Sequence, residues 1–138
     1  MILTLTLILI EDEAELLELF TCWFSSCGYH CIGATNIAEA RQILQQATEN
    51  HLVIDAVLSD CRMPTTAEFN QVDMAPQALF EELQQLASIG TKIVITSADH
   101  TFRQDASIYL SKKQIPHTVV PKDNLEKITQ AISSRKVA

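Results

Sequence analysis

The chain lacks the features that would direct it to a membrane or to nucleic acid. No apolar run is long enough to cross a bilayer: residues 2–10 are the longest candidate, and they end abruptly at Glu11-Asp12-Glu13. That segment has no basic flank, so it does not read as an export signal, and the cytosol is the expected compartment. Positive charge is scarce, with 10 Lys and Arg against 17 Asp and Glu and a net charge of -7. Nonspecific attraction to nucleic acid or anionic lipid is thereby disfavoured. Paired Cys-x2-Cys spacing is also missing. Cys22, Cys27, His30 and Cys31 are ligand types that zinc favours, but their spacing fits a helix end followed by a strand better than a finger. Reduced, mostly buried thiols are expected for these and for Cys61. Internal repeats, low-complexity tracts and linkers are absent as well.

What is present is ordinary globular material: 138 residues, 47% hydrophobic and 20% charged. That length favours one domain over 1–138, able to bury a core without disulfide or metal staples. The periodicity predicts five strand–helix units. The strands are expected at about 3–10, 29–33, 52–59, 92–96 and 118–120. Between them, Leu16, Leu17, Leu19, Phe20, Trp23 and Phe24 recur at helical spacing, and Gly28 can stop that helix. Asn36, with Glu39 three residues on, suits the start of a second helix. Pro76 suits the first turn of a third, with Leu79, Phe80, Leu83 and Leu86 buried, and Gly90 ends it. A fourth helix is expected over about 99–113, and a fifth over 123–133 with Asp123 as its cap. Residues 65–75 show no periodicity and are expected to form a long loop. Alternating strands and helices imply parallel pairing through right-handed crossovers, hence an α/β doubly wound sheet.

Chemistry-bearing residues stand where four of these strands end: Glu11-Asp12, Asp60 with Met63-Pro64, Ser97-Ala98 and Lys122. In an open parallel sheet the strand C-termini share one edge, and ligands bind in the crevice there. The sets should therefore converge into carboxylates, a hydroxyl and an ammonium. That inventory suits a divalent cation and a phosphoryl group carried on a carboxylate. Crowding of Glu13 and Asp55 around the same cation would account for more of the acidity. Scattered His51, His100 and His117 show no ligand or triad spacing.

The order and spacing of these sets resemble the receiver domain of two-component response regulators, over most of the chain. Asp55-Ala-Val-Leu-Ser-Asp60, the turn Gly28-Tyr29 and the segment 34–40 add to the likeness. The resemblance implies a flavodoxin-like sheet of five parallel strands in the order 2-1-3-4-5. It implies Asp60 as phosphoacceptor, with Ser97 and Lys122 contacting the phosphoryl group. It also implies Mg2+ held by Glu11, Asp12, Asp60 and the backbone carbonyl of Arg62. The phosphodonor would be a histidine kinase or phosphotransfer protein. Output would run to a partner protein through the fourth helix, fifth strand and fifth helix, where Phe102, Tyr109, Lys112 and Lys113 lie. With no output domain expected, the chain would be a switch rather than an enzyme, catalysing only its own phosphorylation and dephosphorylation.

The chain departs from the family's pattern in three places. Pro121 precedes Lys122 and Asp123 follows it, where the family often has Lys-Pro with a cis bond. The switch position, usually aromatic, is Val119. The common glycine after Met-Pro is missing. These departures motivate an alternative, a degenerate receiver that serves as a phosphorylation-independent interaction module. A hydrolase of the haloacid dehalogenase type is disfavoured, because Arg62 stands where that chemistry needs a second Asp. Arg62 and Asp99, two residues beyond Asp60 and Ser97, occupy positions that in the family modulate hydrolysis of the acyl phosphate. Their opposite charges make a salt bridge across the mouth of the site geometrically possible.

Overall fold

A continuous apolar strand is stable only if both of its faces are covered, and β1 (Leu5–Ile10) is covered on both. In the computed structural model, which describes residues 4–68 and 71–133, Leu7 and Leu9 point into one core and Ile8 and Ile10 into another. The same alternation runs through β3 (Ala56–Asp60) and β6 (Lys92–Ser97). Ala56, Leu58 and Val94 face the first core, and Val57, Ile93 and Ile95 the second. With β2 (Tyr29–Ala34) and β7 (Thr118–Pro121), these strands form one parallel sheet in the order β2-β1-β3-β6-β7. Between β3 and β6 in sequence lie two short strands of a separate hairpin, β4 (Arg62–Pro64) and β5 (Val72–Met74), so this is the expected 2-1-3-4-5 topology.

On one face lie α1 (Ala14–Ser26) and α6 (Leu125–Ser133), which close a core around Phe20, Phe24, Ile128 and Ile132. On the other lie α2 (Ile37–Glu49), the short α3 (Ala75–Ala78), α4 (Phe80–Ser88) and α5 (His100–Lys112). Leu44, Leu79, Leu83, Ala106 and Leu110 supply that core. Gly28 and Gly90 follow α1 and α4 with φ of 96° and 94°, a conformation that stops a helix at no steric cost to glycine. Asn36 caps α2 by accepting from Glu39 N at 2.8 Å, and Glu39 Oε1 in turn accepts from Thr35 N at 3.0 Å.

Several expectations are corrected. The long loop over 65–75 is in part the β4–β5 hairpin, with Arg62↔Met74 and Pro64↔Val72 paired antiparallel. The third helix is broken at Leu79 into α3 and α4. The third strand begins at Ala56, not Leu52, and Leu52 and Val53 are exposed. Leu3 lies outside the described residues. The cap of α6 is Asn124, which accepts from Lys127 N at 3.0 Å, rather than Asp123. Trp23 is not core: it is 41% exposed and donates Nε1 to Thr129 Oγ1 of α6. All four thiols are free, but Cys22 and Cys27 are exposed, Cys31 is half-buried and only Cys61 is buried. Among the described residues, no helix is long and apolar enough to cross a membrane.

Candidate phosphoacceptor site

The sheet carries Glu11, Asp60, Ser97 and Lys122 to one edge, because parallel strands in register end together. Asp60 pairs with Thr96, and Ser97 with Pro121. Asp60, the last residue of β3, is 8% exposed. Its Oδ1 accepts from Cys61 N at 2.8 Å and its Oδ2 from Lys122 Nζ at 2.8 Å. The same ammonium donates to Glu11 Oε1 at 2.9 Å and lies 3.9 Å from Glu13 Oε1. Lys122 thus holds two buried carboxylates together from the end of β7.

The remaining carboxylate of the set, Asp12, is exposed at the mouth. Ligand atoms of Glu11, Asp12 and Asp60 all lie within 4.8 Å of one another. Glu11 Oε2 is buried and has no hydrogen-bond partner. An orphaned, buried carboxylate oxygen costs stability unless a proton or a cation meets it. Oxygen donors of this kind and number fit a hard divalent cation such as Mg2+.

Titration reflects the crowding. Burial, with help from the Asp60 charge and against the hydrogen bond from Lys122, pushes Glu11 up from 4.5 to about 7. Burial also raises Asp60, opposed by the Lys122 hydrogen bond. For Lys122 burial acts downward, but the hydrogen bonds to Asp60 and Glu11 outweigh it and its pKa is raised. Cys61, beside Asp60, is pushed up to about 12 by burial and by the Asp60 charge, so it stays a neutral thiol.

Ser97 is 6% exposed at the end of β6, with its Oγ accepting from Asp99 N at 3.1 Å. The neighbouring Thr96 is buried with Oγ1 unpartnered. Arg62 and Asp99 do not form the bridge that their opposite charges made possible. Asp99 caps α5 by accepting from Phe102 N at 3.1 Å, while the Arg62 guanidinium lies over the Phe102 ring, 4.9 Å from its centroid. A helix cap and a cation–π contact each hold a side chain in place, and together they draw the two charges into different local partnerships. Asp55 is not at the site. It precedes β3 at the opposite edge of the sheet and accepts from Thr6 N at 2.7 Å. Val119 is half-buried and packs against the core shared with α5. Every peptide bond among the described residues is trans, Lys122–Asp123 included. Sequence reasoning missed Arg103, whose Nη1 donates to Ser97 O at 2.6 Å.

No protein-family model matches the sequence, and no curated protein matches it. Solved structures do match. A response regulator receiver protein from Sinorhizobium medicae superimposes with a TM-score of 0.69 at 20% identity, over 94% of this chain and 92% of that one. The chain has the receiver-domain fold. The response regulator TrrA of Thermotoga maritima, determined in complex with Mg2+ and BeF, gives a TM-score of 0.69 at 20% identity over 94% and 96% of the two chains. The receiver domain of the hybrid histidine kinase CckA gives 0.63 at 19% identity over 93% and 99%. The acidic cluster at the sheet edge has the make-up that a phosphoacceptor site requires.

Proposed function

We propose that this receiver fold accepts a phosphoryl group on Asp60 from a histidine kinase or phosphotransfer protein and passes the change to a partner protein. The observation that carries this reading is Lys122, which reaches from β7 to place one ammonium against both Asp60 and Glu11. A merely structural acidic loop has no need for two buried carboxylates that share one counter-ion beside a third.

In the reaction, an Asp60 carboxylate oxygen attacks phosphorus, the P–N bond to the donor histidine breaks, and the imidazole departs with the electron pair. Two requirements follow, an oriented nucleophile and compensation for charge on the phosphoryl oxygens. Cys61 N fixes one Asp60 oxygen and Lys122 the other. Once the phosphoryl group is in place, Lys122 pairs with it and the Ser97 hydroxyl turns from the Asp99 amide to donate to it. Glu11, Asp12 and Asp60, with the Arg62 carbonyl that the receiver resemblance adds, would hold Mg2+. When bound, Mg2+ supplies charge neutralisation on the phosphoryl oxygens.

On this reading the chain is a switch that catalyses only its own phosphorylation and dephosphorylation. It works in the cytosol, where such donors act. Output leaves through α5, β7 and α6, but the expected aromatic and basic residues do not form that face: Tyr109 and Lys113 turn from α5 toward Phe80 of α4, and Phe102 lies under Arg62. Lys113 lies over both the Phe80 and Tyr109 rings, at 5.3 and 5.9 Å from the centroids. Val119 favours a second reading, a phosphorylation-independent interaction module, because no aromatic gate is present at that position. Titration with Mg2+ and beryllofluoride, followed by amide NMR, separates the two. The switch predicts shifts that spread from Asp60 and Lys122 into α5, and loss of Mg2+ binding in Asp12→Asn. Shifts confined to the strand ends, or undiminished Mg2+ affinity in that variant, would favour the module.

A further inference from the structure

One carbonyl oxygen, that of Ser97, joins two residues whose side chains the proposed reaction uses. It accepts from Lys122 N at 3.2 Å and from Arg103 Nη1 at 2.6 Å. The first bond ties β7 to β6 at the point where strand pairing ends, at Ser97↔Pro121. The second comes from the first turns of α5. Arg103 N in turn donates to Asp99 O at 3.1 Å, and Asp99 N donates to Ser97 Oγ at 3.1 Å. The turn from β6 into α5 is therefore closed into a ring of hydrogen bonds, with the guanidinium as the clasp.

We propose that Arg103 is a positioning residue for phosphoryl uptake, acting through the Ser97 carbonyl to hold Ser97 and Lys122 in fixed relation to Asp60. This rests on the phosphoacceptor reading above. Arg103 is half-buried, so its guanidinium meets the Ser97 carbonyl partly shielded from water. Without the guanidinium, the Ser97 carbonyl keeps only the longer bond from Lys122 N. The turn that presents the Ser97 hydroxyl is then no longer clasped to α5, and only the longer bond holds it against the residue that presents the ammonium. A misplacement of about 1 Å at a reacting centre can cost about a hundredfold in rate. The clasp also offers a link from the site into α5 that needs no aromatic residue at position 119.

The test compares wild type, Arg103→Met and Arg103→Lys. Phosphorylation of Asp60 by acetyl phosphate is timed at saturating Mg2+ across pH 6–9, and the Lys122 and Asp99 amide resonances are recorded without phosphodonor. Arg103→Met should slow uptake about tenfold at every pH, as expected for one lost hydrogen bond from a charged donor. It should shift the Lys122 amide and leave Mg2+ affinity and the urea midpoint near wild type. Arg103→Lys should recover most of the rate, because an ammonium can donate to the same carbonyl. Wild-type rates in Arg103→Met, or equal slowing in both variants together with a lowered urea midpoint, would overturn the proposal. If wild type takes up no phosphoryl group, the phosphoacceptor reading fails instead, and an unmoved Lys122 amide in Arg103→Met would separately remove the clasp.

Discussion

Glu11 is the residue at which the cost of the site is concentrated. Its carboxyl is 2% exposed, shares Lys122 with Asp60, and leaves Oε2 without a partner. Its pKa is about 7 in the folded chain against 4.5 for a free glutamate side chain. Between those values the folded protein binds more protons than the unfolded one, so stability of the metal-free protein falls as pH rises through this window. Asp60, also raised, acts in the same direction. Lys122 does not interfere: its raised pKa gives stability that is complete below 10.5 and is lost only above it. Urea unfolding in chelator should therefore show a loss on the order of 1–3 kcal/mol between pH 5 and pH 8, and Glu11→Gln should flatten the curve. Mg2+ and the proton compete for the same oxygens, so Mg2+ affinity should rise from pH 6 to pH 8 with proton release. Calorimetry in buffers of different ionisation enthalpy measures that release. A pH-independent affinity would mean that Glu11 is not part of the metal site.

At the scale of elements, the start of α2 offers the cleanest energetic test, because the bonds of its cap, to Thr35 and Glu39, involve none of the proposed site residues. Asn36→Ala removes the bond to Glu39 N and should cost about 1 kcal/mol in urea unfolding, while phosphoryl uptake is unchanged. A loss of uptake at wild-type stability would tie α2 to the site in a way that the capping account does not allow. This helix start was legible because Asn36 and Glu39 carry their function in three residues of local spacing. The ends of α1 and α4 were legible for a similar reason, since Gly28 and Gly90 are the residues that a left-handed stop requires. The β4–β5 hairpin was not. Its strands are three residues each, too short for a period-2 pattern to stand out, and Met63 is buried while its partner Asp73 is exposed. Trp23 misled because helical spacing marks a stripe without fixing its edge, and this indole lies at the rim over α6. Arg103 gave no signal at all. An arginine within a helix reads as a solvated side chain until the turn before it is folded back, and then its guanidinium meets Ser97.

For the molecule as a whole, the two-sided core explains why the site is where it is. Leu7, Leu9, Leu58 and Val94 on one face, and Ile8, Ile10, Val57, Ile93 and Ile95 on the other, leave the central strands nowhere to present polar groups except at their ends. Glu11, Asp12, Asp60, Ser97 and Lys122 were legible because each follows such an apolar run directly. Asp55 was misplaced because it precedes its strand. A five-residue strand at about 3.3 Å per residue carries it some 17 Å from Asp60, where it binds Thr6 N instead of a cation. The opposite charges of Arg62 and Asp99 likewise suggested a bridge that sequence distance could not test, and a ring contact and a helix cap claim them separately. The central claim is that this edge of the sheet makes Asp60 a Mg2+-dependent phosphoryl acceptor. Intact-protein mass spectrometry after incubation with acetyl phosphate tests it most directly, with wild type beside Asp60→Asn, each with Mg2+ and with chelator. The account predicts a single phosphoryl adduct on wild type with Mg2+, lost in chelator and absent from Asp60→Asn. An adduct of equal yield on Asp60→Asn, or none on wild type with Mg2+ present, would contradict it.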